Sequence, residues 1–360
     1  MSTSQTARTG FRFTHGTPGA PAETHLVPIA LGAMIFGTVT PEEEARRILD
    51  HYVEEVLPRF TAPDGSPAKG MVDTADCYCW WERKGEPGGH SESLLGRWLA
   101  DTGHRERVYL ATKATGLIDD LDAVWKDGQP DWSLARQHYV GAHPTILRDS
   151  LAASLERLGV DFIDLYYNHV DDRRTPLVDA VGTYASFIED GRIGAYGWSN
   201  VTTWRLALIR ATAEANGWPQ PVALQQQHSY LRRRAGLRHN SIVDDEQLDY
   251  LETYPDLQLV AYSPILKGVF SDKAKRGEFW AMDPYRGPDA DARLAAVDDV
   301  ARQTGATGSQ VVLAWMMAQD APRVLPLIGP RTFEQYLDAM GALDLELSPA
   351  QLELLEAAGA

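Results

Sequence analysis

Short apolar segments alternate along the chain with longer segments whose apolar residues recur at helical spacing. The short segments are rich in β-branched and aromatic residues, which is typical of strands buried on both faces. The longer segments are amphipathic, and several begin at a capping residue or a proline. The pattern predicts eight strands, at 26–31 with 34–37, then at 71–73, 108–113, 162–167, 193–197, 222–226, 257–262 and 324–328.

A helix is predicted after each strand, so the chain is expected to consist of eight strand–helix repeats. Such repeats form a parallel sheet covered by helices, and eight of them predict an α/β fold of the (β/α)8 TIM barrel type. An open, doubly wound sheet is the alternative, but no G-x-G-x-x-G motif opens the first predicted helix. Long loops at 114–140 and 263–288 follow strands three and seven, on the face where barrel enzymes carry their sites. The helices are predicted at about 40–57, 91–100, 144–158, 177–190, 202–216, 243–254, 290–305 and 308–319, after 331, and from about 349.

The composition is that of an ordinary globular protein, with 360 residues, 44% hydrophobic residues and a formal net charge of -16. The length suits one barrel domain over 1–360, in which the polar segment 1–25 is expected to be a partly disordered N-terminal extension. The negative charge argues against nucleic acid or an anionic membrane as a general partner. No segment approaches transmembrane length and the N-terminus lacks the apolar core of a signal peptide, so a cytoplasmic location is expected. No pattern indicates the oligomeric state.

The two cysteines, Cys77 and Cys79, are separated by one residue. A disulfide over this spacing would be strained, and a metal site would need further ligands at suitable spacing. We therefore expect two reduced thiols in the wall of a pocket, and no metal centre.

Four side chains suited to proton transfer follow three successive predicted strands: Asp73, Tyr78, Lys113 and His169. Each has an ordinary alternative, as a turn residue, a core aromatic, a solvated strand-end cation or a structural histidine. In a barrel, however, the strand ends meet on one face. Lys113 could there stabilise the phenolate of Tyr78 and lower its pKa, which is ordinarily about 10, while Asp73 holds the ammonium. A neutral His169 could donate to a carbonyl oxygen, so the four residues indicate a proton-delivery site for a carbonyl.

These residues lie in segments that resemble the aldo-keto reductase family, and the likeness extends over about residues 26–345. The segment Asp73-Thr-Ala-Asp-Cys-Tyr78 is similar to the family's Asp-Thr-Ala-x-x-Tyr. Ala111-Thr112-Lys113 resembles the end of the family's third strand, and the segment from Asp164 to His169 resembles the one that carries its histidine. All four residues appear in the family's order.

The resemblance implies a reaction and a cofactor. Hydride would pass from C4 of the nicotinamide of NADPH to the carbonyl carbon of an aldehyde or ketone. Tyr78 would protonate the oxygen, helped by Lys113 and Asp73, while His169 orients the carbonyl. No metal is needed, because hydrogen bonds and the phenol supply the electrophile.

The resemblance also assigns residues to the nicotinamide end of the cofactor. The segment Gly197-Trp198-Ser199-Asn200 is similar to the family's Gly-x-Ser-Asn strand end, although it is also an ordinary strand–helix turn with a capping residue. Tyr262 resembles the aromatic that stacks on the nicotinamide ring, with a barrel-core aromatic as the alternative. The carboxamide would be bound by Ser199, Asn200 and Gln225, and the ring would be bordered by Gly32 and Met34.

At the other end of the cofactor, the segment from Ser263 to Gly268 would follow the pyrophosphate. Gly329-Pro330-Arg331 resembles the start of the family's adenosine-phosphate site, and a helix N-terminus with an arginine suits an anion. Arg331 would pair with the 2′-phosphate and so favour NADP over NAD; an exposed helix-start arginine is the alternative. The further residues assigned to this site are Gln335 and Asp338.

After Tyr78 the chain departs from the family's pattern, with Cys79-Trp80-Trp81 and a glycine-rich loop through Gly89. Trp80 and Trp81 could form an aromatic wall for an apolar or ring-shaped substrate, or could pack the loop itself. His228, which stands where the family often has a tyrosine, is a third candidate for the substrate pocket. The carbonyl substrate is not predicted, because it depends on the loops 79–90, 114–140 and 263–288.

Two other functions stay open at this point. One is an NADPH-binding sensor or interaction subunit with little turnover, against which the complete set of four residues argues. The other is a barrel aldolase in which Lys113 forms a Schiff base, against which the cofactor motifs at the later strands argue.

Overall fold

Eight parallel strands form a closed barrel in this computed structural model, which describes residues 8–9, 11–17 and 20–359. Each strand pairs with its neighbour in the chain, and the last pairs with the first. The strands are β1 Ala30–Gly32, β2 Gly70–Asp73, β3 Val108–Ala114, β4 Ile163–Asn168, β5 Ile193–Ser199, β6 Ala223–Gln227, β7 Gln258–Tyr262 and β8 Val324–Ile328. Nearly all of their residues are buried, because helices cover the outside and side chains fill the inside. The predicted TIM barrel is confirmed.

The helices follow the strands and cover the barrel. They are α1 Glu42–His51, α2 His90–Thr102, α3 Pro144–Leu158, α4 Leu177–Glu189, α5 Thr203–Ala215, α6 Asp245–Thr253, α7 Pro288–Thr304, α8 Gly308–Met317, α9 Phe333–Met340 and α10 Pro349–Ala357. Some predicted boundaries are wrong. The first strand, predicted at 26–31, covers only Ala30–Gly32 in the barrel, and Leu26 ends a different strand. Residues 34–37 form a turn instead of a strand, and α1 ends at His51, followed by a π-helical turn at Tyr52–Val56.

Among the helices of the described residues, none combines the length and the apolar character needed to cross a membrane.

An antiparallel hairpin precedes the barrel, with strands Phe11–Thr17 and Ala20–Leu26. Phe11 and Phe13 are buried among side chains from the beginnings of the barrel strands, and the ring centre of Phe13 lies 5.4 Å from that of Tyr109. The hairpin therefore covers the amino-terminal end of the barrel and leaves the other end open. The hairpin overlaps the N-terminal extension expected over 1–25, of which residues 1–7, 10 and 18–19 lie outside the described residues, so its expected partial disorder stays a prediction.

The carboxyl-terminal end of the barrel carries the two long loops. The loop after β3 contains a small hairpin and a short helix, Trp132–Ala135, which begins where the side chain of Asp131 accepts from two backbone N–H groups. The loop after β7 is made of short 3₁₀ turns. These loops surround the strand ends at which the candidate residues lie.

The register of the strands decides which side chains meet there. Asp73, the last residue of β2, is paired with Ala111 of β3, and Lys113 lies two positions further along β3. Side chains alternate along a strand, so Ala111 and Lys113 point to the same face. That face is the inside of the barrel, where Ala111 packs with Leu165 and Tyr167 of β4. Asp73 and Lys113 therefore face each other across neighbouring strands.

Candidate active site

The ammonium of Lys113 lies at the centre of the site. Its Nζ donates to Oδ1 of Asp73, to the carbonyl oxygen of Thr74 at 2.6 Å and to the phenol oxygen of Tyr78 at 2.9 Å. Lys113 is fully buried and Asp73 nearly so. All three donors of the ammonium are used, which is how a buried cation is held without a large loss of stability. The structure thus brings together Asp73, Lys113 and Tyr78 as predicted.

The phenol of Tyr78 has a pKa raised well above its ordinary value, first by burial and next by the nearby charge of Asp73. The expectation that Lys113 lowers this pKa is therefore wrong for the structure as it stands, because Asp73 neutralises the ammonium and burial opposes the phenolate. Tyr78 consequently keeps its proton at neutral pH. A protonated phenol is the form that a general acid requires.

His169 follows β4 and lies beside the phenol. The ring centres of Tyr78 and His169 are 5.6 Å apart and their planes are inclined at 79°. Burial, and then the charge of Lys113, lower the pKa of His169 well below its usual value. The imidazole is therefore neutral at physiological pH and carries a single N–H that can donate to a substrate oxygen.

Gln225 completes the surroundings of the carboxylate. Its Nε2 donates to Oδ2 of Asp73 at 2.9 Å, and the side chain is buried near the end of β6. Burial raises the pKa of Asp73, while the bonds from Lys113 and Gln225 oppose that rise. Gln225 was predicted only as a ligand of the carboxamide, and the sequence pattern did not indicate its hydrogen bond to the carboxylate of Asp73.

The polar residues at the ends of β5 and β7 form one hydrogen-bonded group with the backbone of His169. Nδ2 of Asn200 donates to the carbonyl of His169 at 2.8 Å and to Oγ of Ser199 at 3.0 Å. The hydroxyl of Tyr262 donates to Oδ1 of Asn200 at 3.0 Å. Asn200 has a φ of 55°, a left-handed conformation that asparagine tolerates better than most residues. Ser199, Asn200 and Tyr262 thus lie together next to the catalytic residues.

The loop after β7 has an unusual backbone and a concentration of positive charge. Ser263, Leu266, Lys267 and Gly268 all have positive φ angles, a degree of local strain that is typical of functional loops. The pKa of Lys267 is lowered by burial and then by the neighbouring charges of Arg331 and Lys275. Three cations therefore converge where the phosphates of a dinucleotide were predicted.

Two residues of α9 that were predicted to bind the cofactor make hydrogen bonds within the protein. Oε1 of Gln335 accepts from the backbone N–H of Arg331 at 3.0 Å, so this side chain shapes the turn before the helix. Oδ1 of Asp338 accepts from the hydroxyl of Thr307 at 3.1 Å, which ties α9 to the start of α8. Both side chains thus have partners within the protein, although Gln335, like Arg331, is exposed, and Asp338 is half-buried.

Gly32 is the last residue of β1, Gly329 follows β8, and Met34 lies just beyond β1. A Cβ at Gly32 would approach the carbonyl oxygen of Ile328 to 3.1 Å, so this position requires glycine or a shifted backbone. The nearest atom to a Cβ at Gly329 would be the carbonyl oxygen of Gly32, 3.9 Å away. Met34 is 38% exposed, so its side chain is accessible at the barrel mouth.

The sequence profile of the Aldo/keto reductase family matches residues 28–360 of this chain. The chain belongs to the aldo/keto reductase family.

Individual relatives agree with this assignment over most of their length. The chain is 30% identical over 333 residues to an uncharacterized oxidoreductase, YrpG of Bacillus subtilis (strain 168), covering 91% of this chain and 90% of that protein. It is 25% identical over 299 residues to the aldo-keto reductase yakc [NADP(+)] of Schizosaccharomyces pombe, covering 79% of each. The fold is similar to that of the thermostable aldo-keto reductase Tm1743, solved with the inhibitor epalrestat, with a TM-score of 0.64 and 22% identity over 96% of this chain and 99% of that one. Membership of this oxidoreductase family supports carbonyl reduction in general.

Within this aldo/keto reductase, the two tryptophans after Tyr78 have different surroundings. Trp80 is only 1% exposed and packs in a small core beneath the loops, with Ile118, Val124 and Ala135. The ring of Trp81 lies 6.1 Å from that of Tyr78, edge to face. Packing of the loop is thus the role of Trp80, whereas Trp81 borders the phenol.

A third tryptophan, which was not predicted as a substrate-pocket residue, joins this cluster. Trp132, in the short helix after β3, lies 5.5 Å from Trp81 and 5.1 Å from Trp80 between ring centres. It is 50% exposed. Only the Asp131-capped turn brings it there, because Trp132 is 51 positions from Trp81 in the sequence. Trp81 and Trp132 together, called the tryptophan wall below, present aromatic surface beside Tyr78.

His228 is oriented differently from the prediction. Its ring packs 6.4 Å from Trp315 of α8, and burial followed by the charge of Arg293 lowers the pKa of His228 to about 4. These contacts favour a packing role between β6 and α8 over a role in the substrate pocket.

A cavity of about 350 Å³ opens beside Asn200 and Val170, the residue after His169, and Arg136 and Asn240 also line it. None of the four catalytic candidates lines this cavity. It is a neighbouring space at the barrel mouth and not the place where the reacting carbonyl would lie.

No group of three or more His, Cys, Asp or Glu side chains is placed to hold a metal ion, as far as the described residues extend.

Proposed function

We propose that this protein reduces an aldehyde or ketone to an alcohol with NADPH, with Tyr78 as the general acid. The observation that carries the proposal is the ammonium of Lys113, which bridges the carboxylate of Asp73 and the phenol of Tyr78 beside a neutral imidazole. NADPH, when bound, supplies the hydride.

The acid step depends on the contact between Lys113 and Tyr78. As the carbonyl oxygen gains negative charge it becomes a far stronger base than a phenolate, so it can take the proton of Tyr78 in spite of the raised pKa. The phenolate that results accepts from Nζ of Lys113, 2.9 Å away. Because the site is buried, this interaction is stronger than it would be in water. Asp73 keeps the ammonium in place before and after the transfer.

His169 has a different task. A neutral imidazole donates one hydrogen bond and stabilises the oxygen without competing with Tyr78 as a proton source. The nearby charge of Lys113 contributes to keeping His169 neutral. The two rings stand nearly perpendicular, so their polar ends can approach one oxygen from different directions.

The donor set supports a dinucleotide. Ser199, Asn200 and the amide oxygen of Gln225 suit the carboxamide, and Tyr262 offers a ring face at the same strand ends. Lys267, Lys275 and Arg331 offer three cations for phosphate groups. Gly329 leaves room for close approach at the barrel mouth, since the nearest atom to a Cβ there would be 3.9 Å away.

Preference for NADPH over NADH is tested at Arg331. We expect Arg331→Ala to raise the Kd for NADPH by about 10- to 100-fold, the loss of a charge-assisted contact, and to leave the Kd for NADH nearly unchanged. Fluorescence titration with both cofactors measures this. Arg302→Ala, which removes an exposed arginine from α7, is the control. Equal affinity of the wild type for both cofactors would contradict the assignment of the 2′-phosphate to Arg331.

An NADPH-binding sensor with little turnover is the second candidate function, and it predicts a different experimental result. It would bind NADPH tightly and give no loss of absorbance with any carbonyl compound. The Schiff-base alternative is disfavoured by the three acceptors around Nζ of Lys113, because a nucleophilic lysine must be an unprotonated amine.

The tryptophan wall supports an aromatic carbonyl compound as the substrate class. Trp81 lies edge to face beside Tyr78 and Trp132 packs at a tilt against Trp81, an aromatic surface that a further planar ring could extend. The substrate would thus be a small aromatic aldehyde or ketone.

A cytoplasmic location stays a prediction.

This substrate class is tested at Trp132. We expect Trp132→Ala to raise KM for benzaldehyde and 2-naphthaldehyde by about three- to tenfold, the value of an aromatic contact, and to leave KM for butanal unchanged. Trp204 of α5 is the matched control, because it is also 50% exposed. Equal changes for aromatic and aliphatic aldehydes in Trp132→Ala would refute the aromatic wall while leaving the reductase activity itself unaffected.

A further inference from the structure

Cys77 lies against the catalytic histidine. Its Sγ is 3.4 Å from Nδ1 of His169, although the two residues are 92 positions apart in the chain. The thiol is buried, with 4% of the residue exposed. Nδ1 is the ring nitrogen that faces the protein, so whatever occupies it determines what the opposite nitrogen can do.

The backbone of the loop after β3 encloses this contact. A Cβ added at Gly116 would come within 2.9 Å of both Sγ of Cys77 and Nδ1 of His169. The main chain of His169 is also held, by its N–H donating to Ala114 at 3.0 Å and its carbonyl accepting from Asn200 at 2.8 Å. The backbone of His169 is therefore fixed, and Cys77 and Gly116 fill the space beside Nδ1. The sulfur and the imidazole ring are thus held in contact.

The chemistry of the two groups decides the direction of the hydrogen bond. Burial raises the pKa of the Cys77 thiol well above its usual value, so the sulfur keeps its hydrogen. His169 is neutral and has one unprotonated nitrogen. An imidazole nitrogen is a good acceptor whereas a thiol sulfur is a weak one, so S–H donates to Nδ1.

We propose that Cys77 is a positioning residue that fixes the orientation and tautomer of His169, so that the N–H at Nε2 faces the substrate carbonyl. The proposal rests on the role of His169 in the proposed carbonyl reduction. Because the thiol donates to Nδ1, the imidazole ring cannot flip to exchange its two nitrogens without losing this hydrogen bond. Cys77 thus acts through His169 and does not touch the reacting atoms.

Nuclear magnetic resonance of the NADPH-bound protein, with ¹⁵N-labelled histidine, tests the proposal directly. In the wild type we expect Nδ1 of His169 to be unprotonated and to show the shift of a hydrogen-bonded acceptor, with the proton on Nε2. Cys77→Ser keeps a donor and should preserve this spectrum. Cys77→Val fills similar space without a donor and should lose the acceptor signature at Nδ1. A proton on Nδ1 in the wild type overturns the proposal.

Kinetics give the second readout. We expect Cys77→Val to lower kcat by about five- to tenfold, the rate equivalent of one net hydrogen bond, while the Kd for NADPH is unchanged and Cys77→Ser stays within about twofold of wild type. Cys79→Ala is the matched control, because that thiol contacts Thr38 and the carbonyl of Met34 and makes no contact with His169 in the described residues. A Cys77→Val protein with the wild-type spectrum and kcat overturns the proposal. If the wild type reduces no carbonyl compound, the proposed function fails, and the spectrum still reports on the Cys77–His169 contact.

Discussion

Tyr78→Phe is expected to lower kcat for carbonyl reduction by about 10²- to 10⁴-fold, the range that general acid catalysis contributes. The substitution removes only the phenol hydroxyl of Tyr78, and with it the proton that the carbonyl oxygen of the substrate must receive. Lys113 keeps its contacts with Asp73 and Thr74, so the fold should remain intact. The loss is measured as the rate of NADPH absorbance decrease at saturating substrate, with NADPH affinity measured in parallel.

A control is available for the loss of a buried phenol oxygen. Tyr166 is fully buried on β4, and its hydroxyl finds no hydrogen-bond partner among the described residues. Tyr166→Phe should therefore keep kcat close to that of the wild type. If Tyr78→Phe retained half of the wild-type kcat with NADPH bound normally, Tyr78 would not be the acid.

Lys113→Met is expected to abolish turnover and also to lower the free energy of unfolding by about 3–5 kcal/mol, because it leaves the carboxylate of Asp73 buried without its cation. The side chain of Asp73 is only 1% exposed and that of Lys113 is fully buried, so solvent screening does not reduce this cost. Adding Asp73→Asn should restore much of the stability without restoring activity, since no charge then remains unpaired. Denaturant unfolding of the two single variants and the double variant measures this coupling.

The pH dependence of this loss has a definite sign. Without Lys113, burial raises the pKa of Asp73 further above its unfolded value, so the folded variant holds the proton more tightly than the unfolded chain. The destabilisation is therefore small at pH values below the unfolded pKa and grows as the pH rises toward the folded one. We expect the stability difference between Lys113→Met and wild type to be smaller at about pH 5 than at about pH 8.

Lys84→Met makes the same substitution at the surface. Lys84 is 56% exposed and pairs with Asp122 at 3.2 Å, so its removal should change the free energy of unfolding by less than about 1 kcal/mol. Equal stability of Lys113→Met and Lys84→Met at both pH values would show that the buried pair of Asp73 and Lys113 stabilises the fold no more than a surface ion pair does.

Much of the fold was predictable because the signals that specify it are local. Periodicity places each strand and helix within a few residues, and eight alternating units leave few ways to bury all strands. The hairpin over the amino-terminal end of the barrel was not predictable, because its main signal is Phe11 and Phe13, whose partners come from the strands of the barrel. The turn at 34–37 was mistaken for a strand for a similar reason, since Ile35 and Phe36 are buried without being extended.

The four candidate catalytic residues were predictable as a set for a topological reason. In a parallel barrel, every strand ends on the same face, so residues at strand ends meet whatever the loops do. The contacts of Lys113 with Asp73 and Tyr78 follow from this arrangement. The support of Asp73 by Gln225 does not, because it joins side chains 152 residues apart whose rotamers are set by packing.

The sequence by itself therefore determined the barrel and the four residues at its mouth, because strand periodicity and strand ends are properties of neighbouring residues. Only the tertiary structure decided that Trp132 joins Trp81 beside the phenol, that His228 turns toward α8, and that Cys77 occupies Nδ1 of His169. It also reversed the expected direction of the pKa of Tyr78. Each of these depends on loop conformation and on the depth of burial, and both are set by side chains far away in the chain.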